Sequence, residues 1–459
     1  MSRHRKGLNL AHPVVRLASA STLLLVLFSG SAFAAPYNAL LARGRTEPAV
    51  AMDPRNPSTI VVGSNPNYDA PVGNTLPVGV FTSHDAGRSF AAGNIPLPSP
   101  YTTAADPSVA IDHHGTVFYA FLAQTPAFCS GGHSAIMLSS SSDGGRSFRS
   151  PTIIDVNQAD DKPFLAIEGT SGHLSHVFVS WTRFHDKTSD IWQARSSDNG
   201  RAFAPPVKLY SSKYDNFGSL PVVGHAGREY VFWSSFPDLP LNSTSPARIL
   251  MRASSDDGRH FSSIRNVVGT FWTIPQMMEP GSLRSLTAPT VTADAAGSLY
   301  LAWAAATHDH GHGVVDVDIM LSRSTDGGLH WTKGRHVNSA RHGDRFMPSI
   351  SALPDGSVGL AFYDRRTGPD NLDVYAVRVR FSGGFHRSAN LRVNRGSSPV
   401  SDLHYIAPGS TCLASGRFFG DYIGTAAAPD NSLCVTWTDT QFHVYQETDL
   451  WLARVYFPA

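Results

Sequence analysis

The sequence predicts an all-β fold, a β-propeller of four-stranded antiparallel blades, and three observations lead to it. A box of the form Ser-x-Asp-x-Gly-x-x-Phe/Trp occurs five times, as in SSDGGRSF at residues 141–148. Short runs with period-2 alternation lie between Gly, Asp, Asn and Pro residues along the mature chain, which is typical of strands. No strong helical periodicity interrupts them. The box aspartates are Asp85, Asp143, Asp198, Asp256 and Asp326, spaced by 58, 55, 58 and 70 residues.

Each box occupies the same place in a larger repeating unit. A short strand introduced by proline comes first, as in DPSVAI (106–111), and an alternating strand follows, as in VFVSWTRF (177–184). A third strand leads into the box and a fourth follows it. Four antiparallel strands repeated every ~57 residues are typical of propeller blades around a central channel. The other first strands are EPAVAM (47–52), KPFLAI (162–167), LPVVG (220–224), APTVTA (288–293) and MPSISA (347–352).

The two ends of the chain decide how such a ring would close. The sixth unit carries only a degenerate box, FSGGF (381–385), and the seventh ends after its third strand, DLWLARVYF (449–457). We therefore expect YNALLARG (37–44) to supply the missing outer strand of the last blade. Seven blades are predicted, with six as the alternative, because the first and last partial units can be counted differently.

The boxes are interpreted as turns between the third and fourth strands. Their Asp and Ser oxygens are expected to accept hydrogen bonds from backbone N–H groups, as such side chains do in turns. Their glycines allow positive φ. We therefore predict a structural role for the five box aspartates and no catalytic one.

The first 34 residues differ from the rest of the chain. A basic stretch precedes the apolar run TLLLVLF (22–28), and SAFAAP follows with a small-residue cleavage site after Ala34. This pattern predicts a signal peptide over 1–34, a single propeller domain over 35–459, and a secreted or periplasmic protein. A membrane anchor is disfavoured, since a span needs ~20 apolar residues.

Composition excludes several partner classes. The 459 residues are 42% hydrophobic and 16% charged, which is typical of globular proteins, and the formal net charge is +1. Nothing in this balance favours nucleic acid, and we expect a monomer. Of the three cysteines, Cys129 and Cys412 are predicted to form a disulfide bond, and Cys434 is expected to pack as a small apolar residue.

Propeller topology places the starts of first strands and the ends of second strands at one mouth of the channel. Acidic and arginine side chains gather there, notably in YDRR (363–366). Arginine binds carboxylates with two hydrogen bonds, so this ring suits an anionic or polyhydroxylated ligand. Ion pairs that only line a solvated channel are the alternative. The segment HDHGHG (308–313) is interpreted as a solvated loop, and neither a metal nor a cofactor is expected.

The five boxes resemble the Asp-box, or bacterial neuraminidase repeat, of sialidase-like β-propellers. The resemblance implies a propeller, and a glycoside hydrolase as one of several functions that such propellers have. Sialidases begin their first blade with Arg-Ile-Pro, where the Arg binds the substrate carboxylate. Thr46 and Glu47 occupy the corresponding places here, so that motif is absent. Sialidases also place a nucleophilic Tyr on the innermost strand of the last blade, and Tyr422 in GDYIG (420–424) matches it.

The resemblance thus yields a candidate site. Tyr422 is the candidate nucleophile, as in retaining sialidases, and Asp106 is the candidate acid/base. Glu279 or Asp364 is considered as the group that activates Tyr422. The candidate substrate-binding residues are Arg345, Arg365, Arg366, Arg417, Asp364 and Asp421.

Two functions follow from these residues. Tyr422 and the acid–arginine ring favour an exported glycosidase, of which an exo-sialidase is one form. The missing first-blade Arg favours a non-catalytic secreted propeller that binds glycan or protein.

Overall fold

A computed structural model describes residues 37–66, 75–126, 132–168, 174–237, 243–311, 314–340, 342–406, 416–440 and 448–458. Residues 35–459 form one compact unit. Within the described ranges the regular structure consists of β-strands and two short 3-10 turns, with no α-helix. The fold is therefore all-β, as the sequence predicts.

Four sheets follow one another along the first half of the chain, and each runs in chain order from its first to its fourth strand. Blades 1 and 2 consist of β2 (Ala49–Met52), β3 (Ile60–Ser64), β4 (Gly79–Ser83) and β5 (Ala91–Asn94), then β6 (Thr103–Ile111), β7 (Val117–Gln124), β8 (Ser134–Ser141) and β9 (Thr152–Asn157). Blades 3 and 4 consist of β10 (Asp160–Glu168), β11 (His176–Phe184), β12 (Ser189–Ser196) and β13 (Val207–Tyr210), then β14 (Asp215–Val223), β15 (Glu229–Phe236), β16 (Pro246–Ser254) and β17 (Arg265–Trp272).

Three further blades complete the sheets of this type in the described residues. Blade 5 consists of β20 (Thr290–Ala293), β21 (Leu299–Gly311), β22 (Val314–Ser324) and β23 (Arg335–His336). Blade 6 consists of β24 (Arg345–Ala352), β25 (Val358–Asp364), β26 (Asn371–Arg380) and β27 (His386–Arg387), with β28 (Leu391–Arg392) and β29 (Ser398–Pro399) also paired to β26. Blade 7 consists of β32 (Gly424–Ala427), β33 (Leu433–Asp439), β34 (Asp449–Val455) and β1 (Tyr37–Arg43).

The first strands of the blades form the inner wall of the ring. β2, β6, β10, β14, β20, β24 and β32 pack side by side in that order, and β32 returns to β2. The ring is closed by hydrogen bonds between the two ends of the chain, because the N-terminal strand β1 pairs antiparallel with β34, with Arg43 opposite Asp449. Closure of the ring by the N-terminal strand is thus confirmed. This pairing covers the edge that β34 would otherwise expose.

The hydrophobic core lies between adjacent blades. Every residue of β25 and β33 is buried, whereas all four residues of the outer strand β5 are exposed. Second strands are covered on both faces by neighbouring blades, so they carry continuous apolar runs with large residues. Trp181, Trp233 and Trp437, each on a second strand, are fully buried there.

Each of the five boxes forms the same hydrogen-bonded turn. In the first, Gly87 N–H donates to Ser83 Oγ at 2.8 Å, and Ser89 N–H donates to Asp85 Oδ1 at 2.9 Å. Hydrogen bonds from Ser89 and Ser83 lower the pKa of Asp85. The equivalent backbone hydrogen bond is accepted by Asp143, Asp198, Asp256 and Asp326 in the other four boxes. These carboxylates are occupied by backbone N–H groups of their own turns.

Two features depart from the sequence interpretation. A small sheet joins the segment between blades 4 and 5 to the segment between blades 6 and 7. It consists of β18 (Met277–Met278), β19 (Leu283–Arg284), β31 (Gly416–Phe418) and β30 (His404–Ile406). Residues 308–311, expected in a loop, are part of β21, because the β21–β22 hairpin continues its pairing to Gly311 opposite Val314. Residues 312 and 313 lie outside the described residues.

The predicted disulfide bond also falls outside the described residues, since neither Cys129 nor Cys412 is among them. Cys434 lies on β33 and is fully buried. Burial raises the pKa of its thiol to about 12. The side chain therefore packs as an apolar group between blades 7 and 1.

Removal of residues 36–43 from the mature chain should lower the melting temperature, because it deletes β1 and exposes the edge of β34. Leu41 and Ala42, which pack against the core between blades 7 and 1, are lost with it. A control chain lacking only residues 35 and 36 should melt like the mature protein. Equal melting temperatures for all three chains would contradict closure by β1.

Candidate functional site

Three charged residues lie near the N-terminal ends of the first strands of blades 1 to 3, each directly before a proline. Glu47, Asp106 and Lys162 have φ values of 53°, 54° and 50°. Positive φ is uncommon for residues other than glycine, and a residue before proline normally prefers an extended conformation. In β6 and β10 this residue lies at a β-bulge, a feature that redirects side chains. The strained backbone turns the three side chains towards one another.

The ammonium group of Lys162 is the centre of the resulting cluster. Its Nζ lies 2.9 Å from Asp106 Oδ1, 2.8 Å from Asp421 Oδ2 and 3.6 Å from Glu47 Oε1. All four side chains are buried, with exposed fractions of 6% or less. One buried cation thus compensates carboxylates from blades 1, 2 and 7. We call Glu47, Asp106, Asp161, Lys162, Arg284 and Asp421 the acid–lysine cluster.

Asn65 and backbone amides hold the carboxyl groups of this cluster in place. Asn65 Nδ2 donates to Glu47 Oε2 at 2.9 Å, while its Oδ1 accepts the N–H of Asp106 at 2.8 Å. The N–H of Asp421 donates to Glu47 Oε1 at 3.0 Å. A single amide side chain therefore fixes the separation of Glu47 and Asp106.

The environment drives the pKa values of the neighbouring acids apart. Burial favours the neutral form of Asp106, but the Lys162 charge and hydrogen bonds from Glu47 and Asp161 outweigh it and lower its pKa to about 2. Burial, followed by the charge of Asp106, raises the pKa of Asp161 to about 7. Burial also raises the pKa of Glu47 well above its usual range. At neutral pH an ionised carboxylate thus lies beside groups that hold protons, the arrangement that acid–base chemistry requires.

A cavity of about 170 Å³ lies in the centre of the ring, next to this cluster. Its volume equals that of about five or six water molecules. The wall is largely apolar, with a few hydroxyl groups. Every first strand contributes to it, through Ala49, Ser108, Phe164, Leu220, Thr290, Ser349 and Thr425.

Lys162, Asp421 and Tyr422 form the polar end of the cavity. Asp421 Oδ2 binds Lys162 and Arg284, whereas Oδ1 is buried and accepts no hydrogen bond from the described residues. Buried acceptors are almost always paired, so an unpaired one in a cavity wall indicates a place for a ligand hydroxyl or a water.

Tyr422 forms an aromatic wall together with Phe164. The two rings meet edge to face, with centroids 5.7 Å apart, and Lys162 Nζ lies 5.5 Å from the Tyr422 ring. The Tyr422 hydroxyl donates to the carbonyl of Pro107 at 3.4 Å. Burial, together with the charges of Glu47 and Asp106, raises the pKa of Tyr422 well above its usual value. The structure therefore brings Tyr422 and Asp106 together.

Arg284, on β19, is the arginine that reaches the cluster. Its Nη2 lies 2.7 Å from Asp421 Oδ2, and its guanidinium stacks 4.9 Å above the Phe418 ring. The small sheet of β18, β19, β30 and β31 carries both residues. This sheet therefore supplies the second cation that compensates Asp421.

The four arginines named from the sequence do not line the central cavity in the described part of the chain. Arg345 is fully buried and donates to the carbonyls of Val317 and Gly343. Arg417 donates to the carbonyls of Ser401 and Leu403. These guanidinium groups already have backbone partners in their own neighbourhood.

Arg365 and Arg366 lie around a second cavity, which is lined by residues of blades 5 and 6. Arg365 pairs with Asp344 at 3.0 Å, and Arg366 pairs with Asp364 and lies 3.9 Å from the Tyr375 ring centroid. In the described residues these candidate substrate-binding arginines are thus held by nearby acids and carbonyls outside the central cavity.

The two carboxylates considered as activators of Tyr422 also lie outside the lining of the central cavity. Glu279 accepts hydrogen bonds from Ser282, and Asp364 is buried between Arg345 and Arg366. Glu47 and Asp106, whose charges act on Tyr422, replace them. Sequence reasoning missed the pairing of Glu47 and Lys162 with Asp106. The available signal was a charged residue before proline at three successive first strands.

Lys162→Met should lower the free energy of unfolding by roughly 3–5 kcal/mol at pH 7, because it leaves Asp106 as an uncompensated buried charge and leaves Asp421 with Arg284 alone. Urea unfolding at several pH values measures this. The loss should shrink as the pH falls and these acids become neutral. Lys208→Met is the matched control, since Lys208 is half exposed and its pair with Asp190 is worth ~0–1 kcal/mol. Equal losses for both variants would contradict a central role of Lys162.

Asp161→Asn should remove one pH-dependent part of the stability. The pKa of Asp161 is raised to about 7 from 3.8, so the folded state holds a proton that the unfolded state releases. Its contribution is favourable below pH ~4 and is lost as the pH rises to ~7. The variant should therefore gain stability relative to the wild type across this window. The exposed control Asp186→Asn should give a plot of unfolding free energy against pH that runs parallel to that of the wild type. A parallel plot for Asp161→Asn as well would refute the assignment.

Among the described residues, no helix has the length and apolar character needed to cross a membrane.

Comparisons with known proteins give structural matches only, since no family model and no curated protein matches the sequence. A protein of unknown function from Dyadobacter fermentans matches at 15% identity with a TM-score of 0.46, covering 78% of this chain and 96% of its own. A Penicillium chrysogenum α-L-arabinanase in complex with arabinobiose matches at 11% identity with a TM-score of 0.47, covering 72% and 94%.

A Trypanosoma rangeli sialidase matches at 11% identity with a TM-score of 0.43, covering 90% of this chain and 55% of its own. The chain thus spans about half the length of that sialidase. At these identities and scores, the matches carry no argument about activity. The propeller fold of this chain is established by its own strand pairing.

Proposed function

We propose that the protein is an exported propeller, secreted or periplasmic, that binds a glycan in its central cavity. One observation carries this proposal. In the wall of the central cavity of about 170 Å³, Asp421 has a buried acceptor, Oδ1, without a hydrogen bond from the described residues. A sugar hydroxyl is a donor that would satisfy it. Export is proposed from the signal-peptide pattern of residues 1–34.

The lining of the cavity supports a neutral sugar unit. Tyr422 and Phe164 offer an apolar aromatic surface, and Ser108, Ser349 and Thr425 offer hydroxyl groups. Binding sites for small molecules combine such apolar walls with a few orienting polar groups. A carboxylate-bearing sugar is disfavoured, because the ammonium of Lys162 already compensates buried carboxylates and none of the four expected arginines lines the cavity.

Hydrolysis of the bound glycan is the second candidate function, favoured by the divergent pKa values of Asp106 and Asp161. Asp161 would donate its proton to the glycosidic oxygen as the bond to the anomeric carbon breaks. Asp106, ionised, would stabilise the positive charge that develops there. Tyr422 remains the candidate nucleophile, with its phenolic proton passing to a carboxylate of the cluster. Water, deprotonated by the now ionised Asp161, would then attack the anomeric carbon and break its bond to Tyr422.

A glycan array with the purified mature protein tests binding, and release of sugar from each bound glycan tests hydrolysis. Phe164→Ala should weaken binding by roughly tenfold, since aromatic contacts contribute about 1 kcal/mol beyond their buried area. Trp272→Ala, which removes an exposed aromatic residue of the outer strand β17, is the matched control and should bind normally.

The outcomes separate the two candidates. Binding without release, with the loss confined to Phe164→Ala, supports the binding propeller. Release that disappears in both Asp161→Asn and Tyr422→Phe supports the hydrolase. If no glycan, charged or neutral, is bound by the wild type, both functions are wrong.

A further inference from the structure

A second group of convergent side chains lies at the opposite mouth of the ring, on the side of the boxes. Glu168 ends β10 and His176 begins β11, so both belong to the turn between the first and second strands of blade 3. Asp257 lies in the box turn of blade 4, directly after Asp256. Glu168 Oε2, His176 Nδ1 and Asp257 Oδ1 lie within 4.8 Å of one another. We call these three residues the blade 3–4 triad.

We propose that the blade 3–4 triad binds a divalent transition-metal ion, of which Zn²⁺ is the best match, and that the ion links blades 3 and 4. Neither the central cavity nor the glycan proposal assigns any role to these residues. One imidazole and two carboxylates are a common ligand set for zinc, and a water molecule would complete the tetrahedron.

The two distances from His176 to the carboxylates of the triad match tetrahedral coordination. His176 Nδ1 lies 3.2 Å from Glu168 Oε2 and 3.6 Å from Asp257 Oδ1. With zinc–ligand distances of about 2.1 Å, neighbouring ligand atoms of a tetrahedral site lie about 3.4 Å apart.

An ordinary hydrogen bond does not explain this approach. Both Glu168 Oε2 and His176 Nδ1 are buried atoms without a hydrogen-bond partner, although they lie only 3.2 Å apart. The imidazole N–H direction therefore does not point at the carboxylate. Two close, unpaired acceptor atoms are what a metal ion could bind.

Surrounding residues orient the two carboxylates towards that point. Arg259 Nη1 binds the other oxygen of Asp257, Oδ2, at 2.8 Å, which leaves Oδ1 facing His176. Gly227 makes room for Glu168, because a Cβ at that position would lie 2.0 Å from Glu168 Oε1. Such outer contacts typically hold metal ligands in position.

A further buried carboxyl group lies close to the triad. Glu229 is fully buried, and its Oε2 has no hydrogen-bond partner among the described residues. It lies against Gly258, the residue after Asp257, and the charges of Asp257 and Glu168 act on it. Gln193 binds the other oxygen of Glu229, and burial raises the pKa of this carboxyl group to about 8, so the negative charges beside His176 come from Glu168 and Asp257.

Titration calorimetry of the mature protein with ZnCl₂ tests the site. The protein should bind one Zn²⁺ that His176→Ala loses or binds at least about 100-fold more weakly. Zn²⁺ should also raise the melting temperature of the wild type and not that of the variant. Asp257→Asn is a second test variant, because asparagine tolerates the φ of 60° at this position and should leave the fold intact.

His260→Ala is the matched control. His260 pairs with Asp256 at 2.6 Å in the same turn but is almost fully exposed and belongs to no such triad. The measurements are made with His308, His310 and His312 all replaced by alanine, so that this histidine-rich segment contributes no Zn²⁺ binding. Binding that survives His176→Ala and Asp257→Asn unchanged, or no binding by the parent chain, would overturn the proposal.

Discussion

The ammonium group of Lys162 is the interaction on which the inner end of the ring depends. It lies between carboxyl groups that come from blades 1, 2 and 7, while Lys162 itself belongs to blade 3. Four of the blades are therefore joined at the channel by one buried charge. Removing either partner of a buried ion pair is far more destabilising than replacing the pair by apolar groups. The cluster thus constrains which substitutions the ring tolerates at these positions.

The ion pairs of the cluster also hold a strained backbone in place at these positions. Glu47, Asp106 and Lys162 hold positive φ before a proline, a conformation that costs of order 1–3 kcal/mol at each residue. Such strain persists only where the surrounding structure fixes it, and here the ion pairs and the amide of Asn65 do so. The same bulge at Met347 carries an apolar side chain, which lines the cavity instead. The same positive-φ backbone before a proline thus directs either a charged or an apolar side chain towards the channel.

The two mouths of the ring differ in chemistry because different parts of each blade reach them. First-strand starts bring the acid–lysine cluster to the cavity that holds Tyr422 and Phe164. The turns on the other side bring serine and aspartate oxygens, and most of these are occupied by backbone N–H groups of the boxes. The blade 3–4 triad is the exception argued above, since its atoms face one another across two blades. Glycan binding and metal binding would therefore be physically separate.

The sequence by itself determined the all-β fold, the place of the boxes and the closure by the N-terminal strand. These depend on local periodicity, on turn chemistry within eight residues and on the need to pair a sheet edge, all of which are legible without tertiary contacts. The sequence also predicts that Tyr422 and Asp106 lie at one site, because both lie near the N-terminal ends of first strands of a ring. Only the tertiary structure decided the charges around them. Whether Arg345 or Arg365 faces a ligand depends on which acids and carbonyls compensate it, and the acids, Asp318 and Asp344, lie 27 and 21 residues away in the sequence. Lys162 became the central cation instead of an arginine because bulges before Pro107 and Pro163 aim side chains of neighbouring blades at one point, which alternation along a single strand does not encode.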